Sequence, residues 1–208
     1  MYEMPHFRED DLDAQHALIE AYPLGLLISP GPDGILANPI PFVLYRGDGE
    51  RGTLRCHLAK ANPQWQALEA DPAALVVFQG SQSYVTPSWY PTKTETEKVV
   101  PTWNYAIVQA RGPARVIHDP AWLHANVTAL TDQQEGRRPN PWAVTDAPGL
   151  FIAAQLKGIV GVEIPIESIT GKFKASQNRP LADRQGVAEG LTESNPDMAA
   201  MVRERGGI

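Results

Sequence analysis

Cysteine is almost absent from this 208-residue chain: Cys56 stands alone, which excludes an intramolecular disulfide and any metal site built from paired cysteines. The five histidines show neither HxxxH nor HExxH spacing, so we expect no metal site. The sequence also lacks GxSxG, a P-loop and a GxGxxG segment after a strand. The sequence therefore assigns no residue a catalytic role.

Long hydrophobic runs are also missing. No apolar run approaches the roughly 18 residues that span a bilayer, and the start, MYEMPHFREDDLD, is acidic without an apolar signal core. We therefore expect no membrane partner and a cytoplasmic location. Hydrophobic residues make up 43% of the chain, a share typical of globular proteins, so a core can form without disulfides or structural zinc.

Net positive charge is lacking as well. The chain has 18 basic and 24 acidic side chains, a formal charge of -6. One stretch reverses this balance, because Lys172 to Arg184 contains four basic residues and one acidic residue. An acidic chain with one local basic patch disfavours direct DNA binding and suits a small anionic ligand.

Short β-rich runs dominate the hydrophobic pattern. Strands are predicted at 24–29, 35–45, 53–58, 73–78, 83–86 and 159–166, and 103–117 is predicted to form one long strand or a hairpin broken at Gly112-Pro113. Helices are predicted to start near 11, 63, 120 and 147, and two weak ones near 183 and 196. This order lacks the strand–helix alternation of a doubly wound sheet. It predicts a mainly β, α+β barrel or sandwich with peripheral helices, one domain over 1–208 with a short helical tail at about 183–208.

The most unusual segment is the loop 84–105, YVTPSWYPTKTETEKVVPTWNY, which places many aromatic rings among polar residues. The rings could stack on a flat ligand, or the loop could fold over its own barrel or dock on a partner subunit. Its candidate binding residues are Tyr84, Ser88, Trp89, Trp103 and Asn104.

A second segment, CHLAKANPQW at 56–65, runs from a strand into a helix. His57, Lys60 and Asn62 lie where backbone N–H groups and a lysine could hold a phosphate. The alternative is an ordinary Asn-Pro helix cap with a solvated lysine.

The third segment, GKFKASQNR at 171–179, is dense in hydrogen-bond donors. Lys172 and Lys174 share one face of an extended chain, and Gln177, Asn178 and Arg179 follow. These side chains suit a phosphate or the carbonyls of a flat heterocycle, although a solvated basic turn has the same pattern.

Together these segments resemble the PaiB family, described as FMN-binding negative transcriptional regulators. The resemblance runs through nearly the whole chain, in order: MYEMPHF, CHLAKANPQW, YVTPSWYPTK, VVPTWNYAIV, the stretch 130–142, IVGVEI and KASQNR. It departs at Lys60, where the family often has Arg, and at Gln109, where it often has His.

The resemblance implies a split β-barrel of the flavin reductase and pyridoxamine-phosphate oxidase type. It implies a homodimer with FMN at the subunit interface, His57 to Asn62 near the phosphate, and a regulatory role with a possible flavin-dependent redox or sensing function. A barrel that binds haem or no cofactor, and acts as an interaction module, is the alternative.

Overall fold

The computed structural model describes residues 1–208, and ten strands form two sheets. The strands are β1 (Arg8–Glu9), β2 (Leu24–Gly31), β3 (Gly34–Pro41), β4 (Val43–Tyr45), β5 (Thr53–Ala59), β6 (Ala73–Val85), β7 (Thr102–Pro113), β8 (Arg115–Ile117), β9 (Ile159–Pro165) and β10 (Ser168–Lys174). Six strands form one sheet in the order β1-β10-β7-β6-β2-β3, and four form the other in the order β4-β5-β9-β8. The mainly β, α+β class predicted from the hydrophobic pattern is confirmed.

Seven helices accompany the sheets. They are α1 (Leu12–Ala21), α2 (Gln64–Ala70), α3 (Thr92–Thr96), α4 (Pro120–Glu135), α5 (Gly149–Leu156), α6 (Leu181–Leu191) and α7 (Pro196–Gly206). The last two match the helical tail expected at about 183–208.

The chain groups into two compact units, each assembled from separate segments. Unit 1 comprises 1–18, 79–108 and 170–208, and unit 2 comprises 19–78 and 109–169. The expectation of a single domain over 1–208 stays a prediction.

In unit 2, Gln64 anchors the short helix α2. Its side chain is fully buried, donates to the Leu27 carbonyl at 3.0 Å and the Ser29 hydroxyl at 3.1 Å, and accepts from Asn38 at 2.8 Å. A buried amide with three partners fixes a helix of only seven residues against the β2–β3 hairpin.

Helix α4 packs on the outer face of β5 and β9. A Cβ added to Gly161 would lie 2.3 Å from the Trp122 ring, so only glycine lets the indole approach β9 this closely. Register places Gly161 opposite His57, and α4 therefore covers the face of β5 on which His57 lies.

Unit 1 has its own core under the C-terminal helices. Nine buried residues form it: Val85, Tyr90, Ala175, Val187, Ala188, Leu191, Met198, Ala199 and Val202. At the start of α7, the Asn195 side chain accepts from the Met198 N–H at 3.1 Å and donates to the Gln82 carbonyl at 2.8 Å. This cap ties α7 to β6.

Three strand predictions are wrong in their bounds. The run 103–117 divides after Pro113 into β7 and β8, which lie in different sheets and so form no hairpin. The strand expected at 35–45 divides into β3 and β4, in different sheets, on either side of the buried Phe42. The runs 73–78 and 83–86 instead form the single strand β6, because the intervening polar residues meet α7, with Ser81 bonded to Asn195 at 2.9 Å.

Candidate functional site

His57 lies on the outer face of β5, while its neighbour Cys56 is fully buried on the opposite face. The His57 Nδ1 is 3.3 Å from the Asn126 Nδ2 of α4. Burial lowers the pKa of His57 below its usual value. At neutral pH the side chain is therefore an uncharged imidazole that contacts α4.

Lys60 and Asn62 follow in the turn between β5 and α2. The Lys60 side chain is exposed and forms no ion pair, while its N–H donates to the Gly158 carbonyl at 2.8 Å. The Asn62 Oδ1 accepts from the Gln64 N–H at 3.0 Å and so serves the helix cap. Lys60 is thus the free cation of this segment.

The aromatic loop divides into exposed and packed members. Tyr84 and Trp103 are 47% and 52% exposed, and their ring centroids are 6.1 Å apart in an edge-to-face arrangement. Trp89 instead packs on α6, because a Cβ added to Gly190 would lie 2.4 Å from its ring. Ser88 is exposed, and its N–H donates to the Thr86 hydroxyl at 3.2 Å.

Asn104 is fully buried in unit 1 beside the basic segment. Its Nδ2 donates to the Ser176 hydroxyl at 2.9 Å, and its Oδ1 is buried without a partner. A buried acceptor left without a donor costs stability, so this oxygen is available to a ligand N–H or a water.

Lys172, Lys174 and Arg179 form what we call the cation cluster, and no carboxylate lies within 4.0 Å of any of them. Lys174 Nζ donates to the Thr102 hydroxyl at 2.5 Å and to the Trp103 carbonyl. Burial, and then the positive charges of Lys172 and Arg179, lower the pKa of Lys174. The cluster is a concentration of positive charge that an anion would relieve.

The turn after β10 leads to Arg179. Gln177 folds back on this turn, accepting from the Ala175 N–H at 2.7 Å and donating to the Phe173 carbonyl at 2.5 Å. The Arg179 guanidinium lies 4.7 Å from the centre of the Tyr90 ring. Asn178 is exposed.

The structure therefore brings the sequence-predicted residues together in two sets. Trp103, Asn104 and the 172–179 segment are joined within unit 1, whereas His57, Lys60 and Asn62 belong to unit 2. Sequence reasoning missed the supporting residues Tyr2, Phe7, Thr102, Tyr105 and Ser176. The MYEMPHF start contained a signal for the first two, because it carried part of the resemblance.

One cavity lies elsewhere in unit 2 and does not suit an anion. It has a volume of about 590 Å³ between the β2–β3 turn and α2, is lined mainly by proline, glycine and alanine, and has Asp33 and Asp71 as its only charged residues. No group of three or more histidine, cysteine or acidic side chains could hold a metal ion. No helix is both long enough and apolar enough to cross a membrane.

The chain matches a known family over most of its length. Residues 1–168 match the family model described as "Putative FMN-binding domain". An uncharacterised protein of Aspergillus fumigatus is 37% identical over 257 residues, covering 100% of this chain and 98% of that protein. The protease synthase and sporulation protein PAI 2 of Bacillus subtilis is 30% identical, covering 97% of this chain and 94% of that protein.

Solved structures with the same fold share little sequence. A conserved hypothetical protein of Mycobacterium tuberculosis has a TM-score of 0.60 at 13% identity, covering 86% of this chain and 94% of that one. An FAD- and haem-binding protein of Mycobacterium smegmatis has a TM-score of 0.60 at 18% identity, covering 81% and 73%. The expected split β-barrel is confirmed as the fold that the chain shares with these proteins.

Proposed function

Because the chain belongs to the family of FMN-binding domains, of which the PaiB proteins are members, we propose that it works as a dimeric flavoprotein with a redox or sensing role. FMN is the cofactor that this membership indicates. The observation that carries the proposal is the cation cluster, which has no carboxylate partner in the chain and lies beside exposed aromatic rings.

The donor set in unit 1 fits FMN chemically. FMN combines a phosphate with a flat ring that carries carbonyl and N–H groups. Lys174 and Arg179 offer charge-assisted hydrogen bonds to oxygen atoms, and the free Oδ1 of Asn104 offers an acceptor. Trp103 and Tyr84 offer ring surface for stacking.

The residues of unit 2 supply a second donor set. Lys60 brings an unpaired positive charge, and the Asn62 Nδ2 has no partner within the chain. We assign these two to the phosphate, with His57 supporting the turn through its contact with α4. In a dimer, residues 172–179 of the partner subunit would then serve the ring carbonyls or share the phosphate.

When bound, the flavin supplies the redox chemistry, and the chain holds and orients it. In this assignment the cations stabilise negative charge, Asn104 accepts a hydrogen bond, and the aromatic rings exclude water from one face. No side chain in either set is positioned as a separate acid or base, so we assign no proton-transfer residue.

An apolar sheet face supports the dimer. Leu26 pairs with Val77 and Pro39, and its neighbours on that face are Ile28 and Leu24. Leu24 is 63% exposed and Leu26 is 38% exposed. A contiguous apolar face of this kind is typical of a protein interface, and a second copy would cover it.

The direct test is a visible absorption spectrum of the purified protein, repeated after FMN is added and the sample is desalted. We expect a retained flavin spectrum. Lys174→Ala and Arg179→Ala should each weaken FMN binding by about tenfold, the usual effect of losing one charge-assisted hydrogen bond.

The exposed Lys98 provides the matched control, because it belongs to the same unit but not to the cluster. Lys98→Ala should bind FMN like the wild type. If the wild-type protein has no affinity for FMN, the flavoprotein proposal is wrong. The alternative function, a barrel that binds no cofactor and acts as an interaction module, then applies. A haem-type absorption band would instead direct attention to the histidines.

Negative regulation of transcription is the second candidate, favoured by the likeness to the sporulation protein of Bacillus subtilis. The helical hairpin α6–α7 argues for an indirect route, because 181–208 contain three basic and five acidic residues. We expect no salt-sensitive shift of a promoter fragment at low protein concentration; a specific shift would restore direct DNA contact.

A further inference from the structure

Lys172 is a nearly buried cation with too few partners. Its residue is only 8% exposed, yet Nζ makes one hydrogen bond, to the Tyr2 carbonyl at 3.2 Å. The rings of Tyr2 and Tyr105 lie 5.5 and 5.4 Å from Nζ. A buried ammonium has three donors and is costly unless they are used, so its environment is incomplete.

Tyr2 covers this lysine but is weakly held. Tyr2 is 78% exposed, so little apolar burial keeps it in place. Further along, the segment is fixed, because Phe7 is buried and Arg8 pairs with Lys172 in the β1–β10 ladder. Tyr2 therefore lies over the cluster with little to hold it, close to a base that is fixed at Phe7 and Arg8.

We propose that the Tyr2 carbonyl holds the place of an anionic ligand oxygen on Lys172, and that Met1–Glu3 form a strap which the ligand displaces. An ionised oxygen makes a shorter and stronger bond to an ammonium than a neutral carbonyl does. Displacement also leaves the fold intact, since the β1 pairing lies outside the strap. That the ligand is FMN rests on the proposed function; the strap itself requires only an anion.

The test removes the strap and measures affinity. Deletion of Met1–Glu3 leaves Met4 as the first residue, and the truncated chain is titrated with inorganic phosphate and, separately, with FMN. We expect both to bind about 3- to 10-fold more tightly, the equivalent of one competing hydrogen bond.

Two variants separate the strap from simpler effects. Glu3→Gln removes the negative charge that the deletion also removes, and it should bind phosphate like the wild type. Tyr2→Ala keeps the backbone carbonyl and loses the ring, so it should gain less than the deletion. Lys172→Met, made in the full-length and truncated chains, should abolish the difference between them.

The outcomes are distinct. The strap proposal is wrong if the truncated chain binds phosphate no more tightly than the full-length chain. It is also wrong if Glu3→Gln raises the affinity for phosphate as much as the deletion does, or if the two chains still differ in affinity when both carry Lys172→Met. If phosphate binding responds as expected while FMN binds neither chain, the strap stands and the flavin assignment fails. If the full-length and truncated chains bind FMN with equal affinity, and also bind phosphate with equal affinity, the flavin assignment stands and the strap proposal is wrong.

Discussion

At the residue scale, burial rather than partner charge decides how His57 behaves. Its imidazole faces a neutral amide, and desolvation alone lowers its pKa. Unfolding returns the ring to water and to its usual pKa of 6.5, so the unfolded chain binds the proton first as pH falls. Stability contributed by His57 is thus present above pH 6.5 and lost below it.

Urea unfolding at pH 7.5, 6.5 and 5.5 tests this sign. The free energy of unfolding should fall across this range in the wild type, and should fall less in His57→Gln, whose amide can still bond Asn126 but cannot titrate. The same slope in both proteins would assign the pH dependence to other groups.

Lys60 is a residue at which a single substitution should strengthen binding. The lysine offers one point charge, whereas an arginine offers a planar fork that can hold two phosphate oxygens. Lys60→Arg should therefore lower the Kd for FMN several-fold, measured by flavin fluorescence titration, and Lys60→Gln should raise it. Identical titrations for all three proteins would remove Lys60 from the phosphate site.

At the element scale, α6 depends on glycines that let it approach the aromatic loop. A Cβ added to Gly186 would lie 2.0 Å from the Trp89 carbonyl oxygen, a backbone atom that cannot rotate away. Gly149, at the start of α5, has nothing within 4 Å of the same position.

Gly186→Ala should therefore destabilise the protein by about 2–3 kcal/mol in urea unfolding, through overpacking. Gly149→Ala should be neutral or slightly stabilising, because alanine favours helix. Equal effects of the two substitutions would mean that α6 can shift away from the loop at little cost.

At the scale of the whole molecule, the dimer proposal predicts how the two donor sets combine. If each site takes Lys60 from one protomer and Lys174 from its partner, mixed dimers of Lys60→Ala and Lys174→Ala contain one intact site. Random reassociation should restore about a quarter of the sites, counted by bound FMN. A site built within one protomer would restore none.

The dimer itself can be tested through its apolar face. Leu26→Glu places a charge amid that face, and sedimentation should show a monomer, whereas Leu150→Glu, at a residue that is 90% exposed on α5, should not change the mass. A dimer that persists with Leu26→Glu would place the interface elsewhere.

Several features followed from the sequence because they depend on local chemistry. Pro39 and Pro41 fit only an edge strand or an irregular stretch, since proline lacks the N–H of a central ladder, and β3 is the outer strand of its sheet. Neighbouring residues of a strand face opposite sides, and Cys56 and His57 do so in β5. The ordered motifs also identified the family, and with it the fold and cofactor.

Only the tertiary structure decided the features that depend on contacts between residues far apart in the sequence. In the sequence, the polar residues in the middle of β6 indicate a break between two strands. In the structure, Asn195, more than a hundred positions away, forms hydrogen bonds with them, and the strand is continuous. Trp89 and Trp103 belong to the same aromatic loop of the sequence. In the structure Trp89 packs on the glycines of α6, whereas Trp103 is half exposed beside Lys174. A pattern reports which face a residue takes on its own element; the partner on that face is set by packing, which no local pattern encodes.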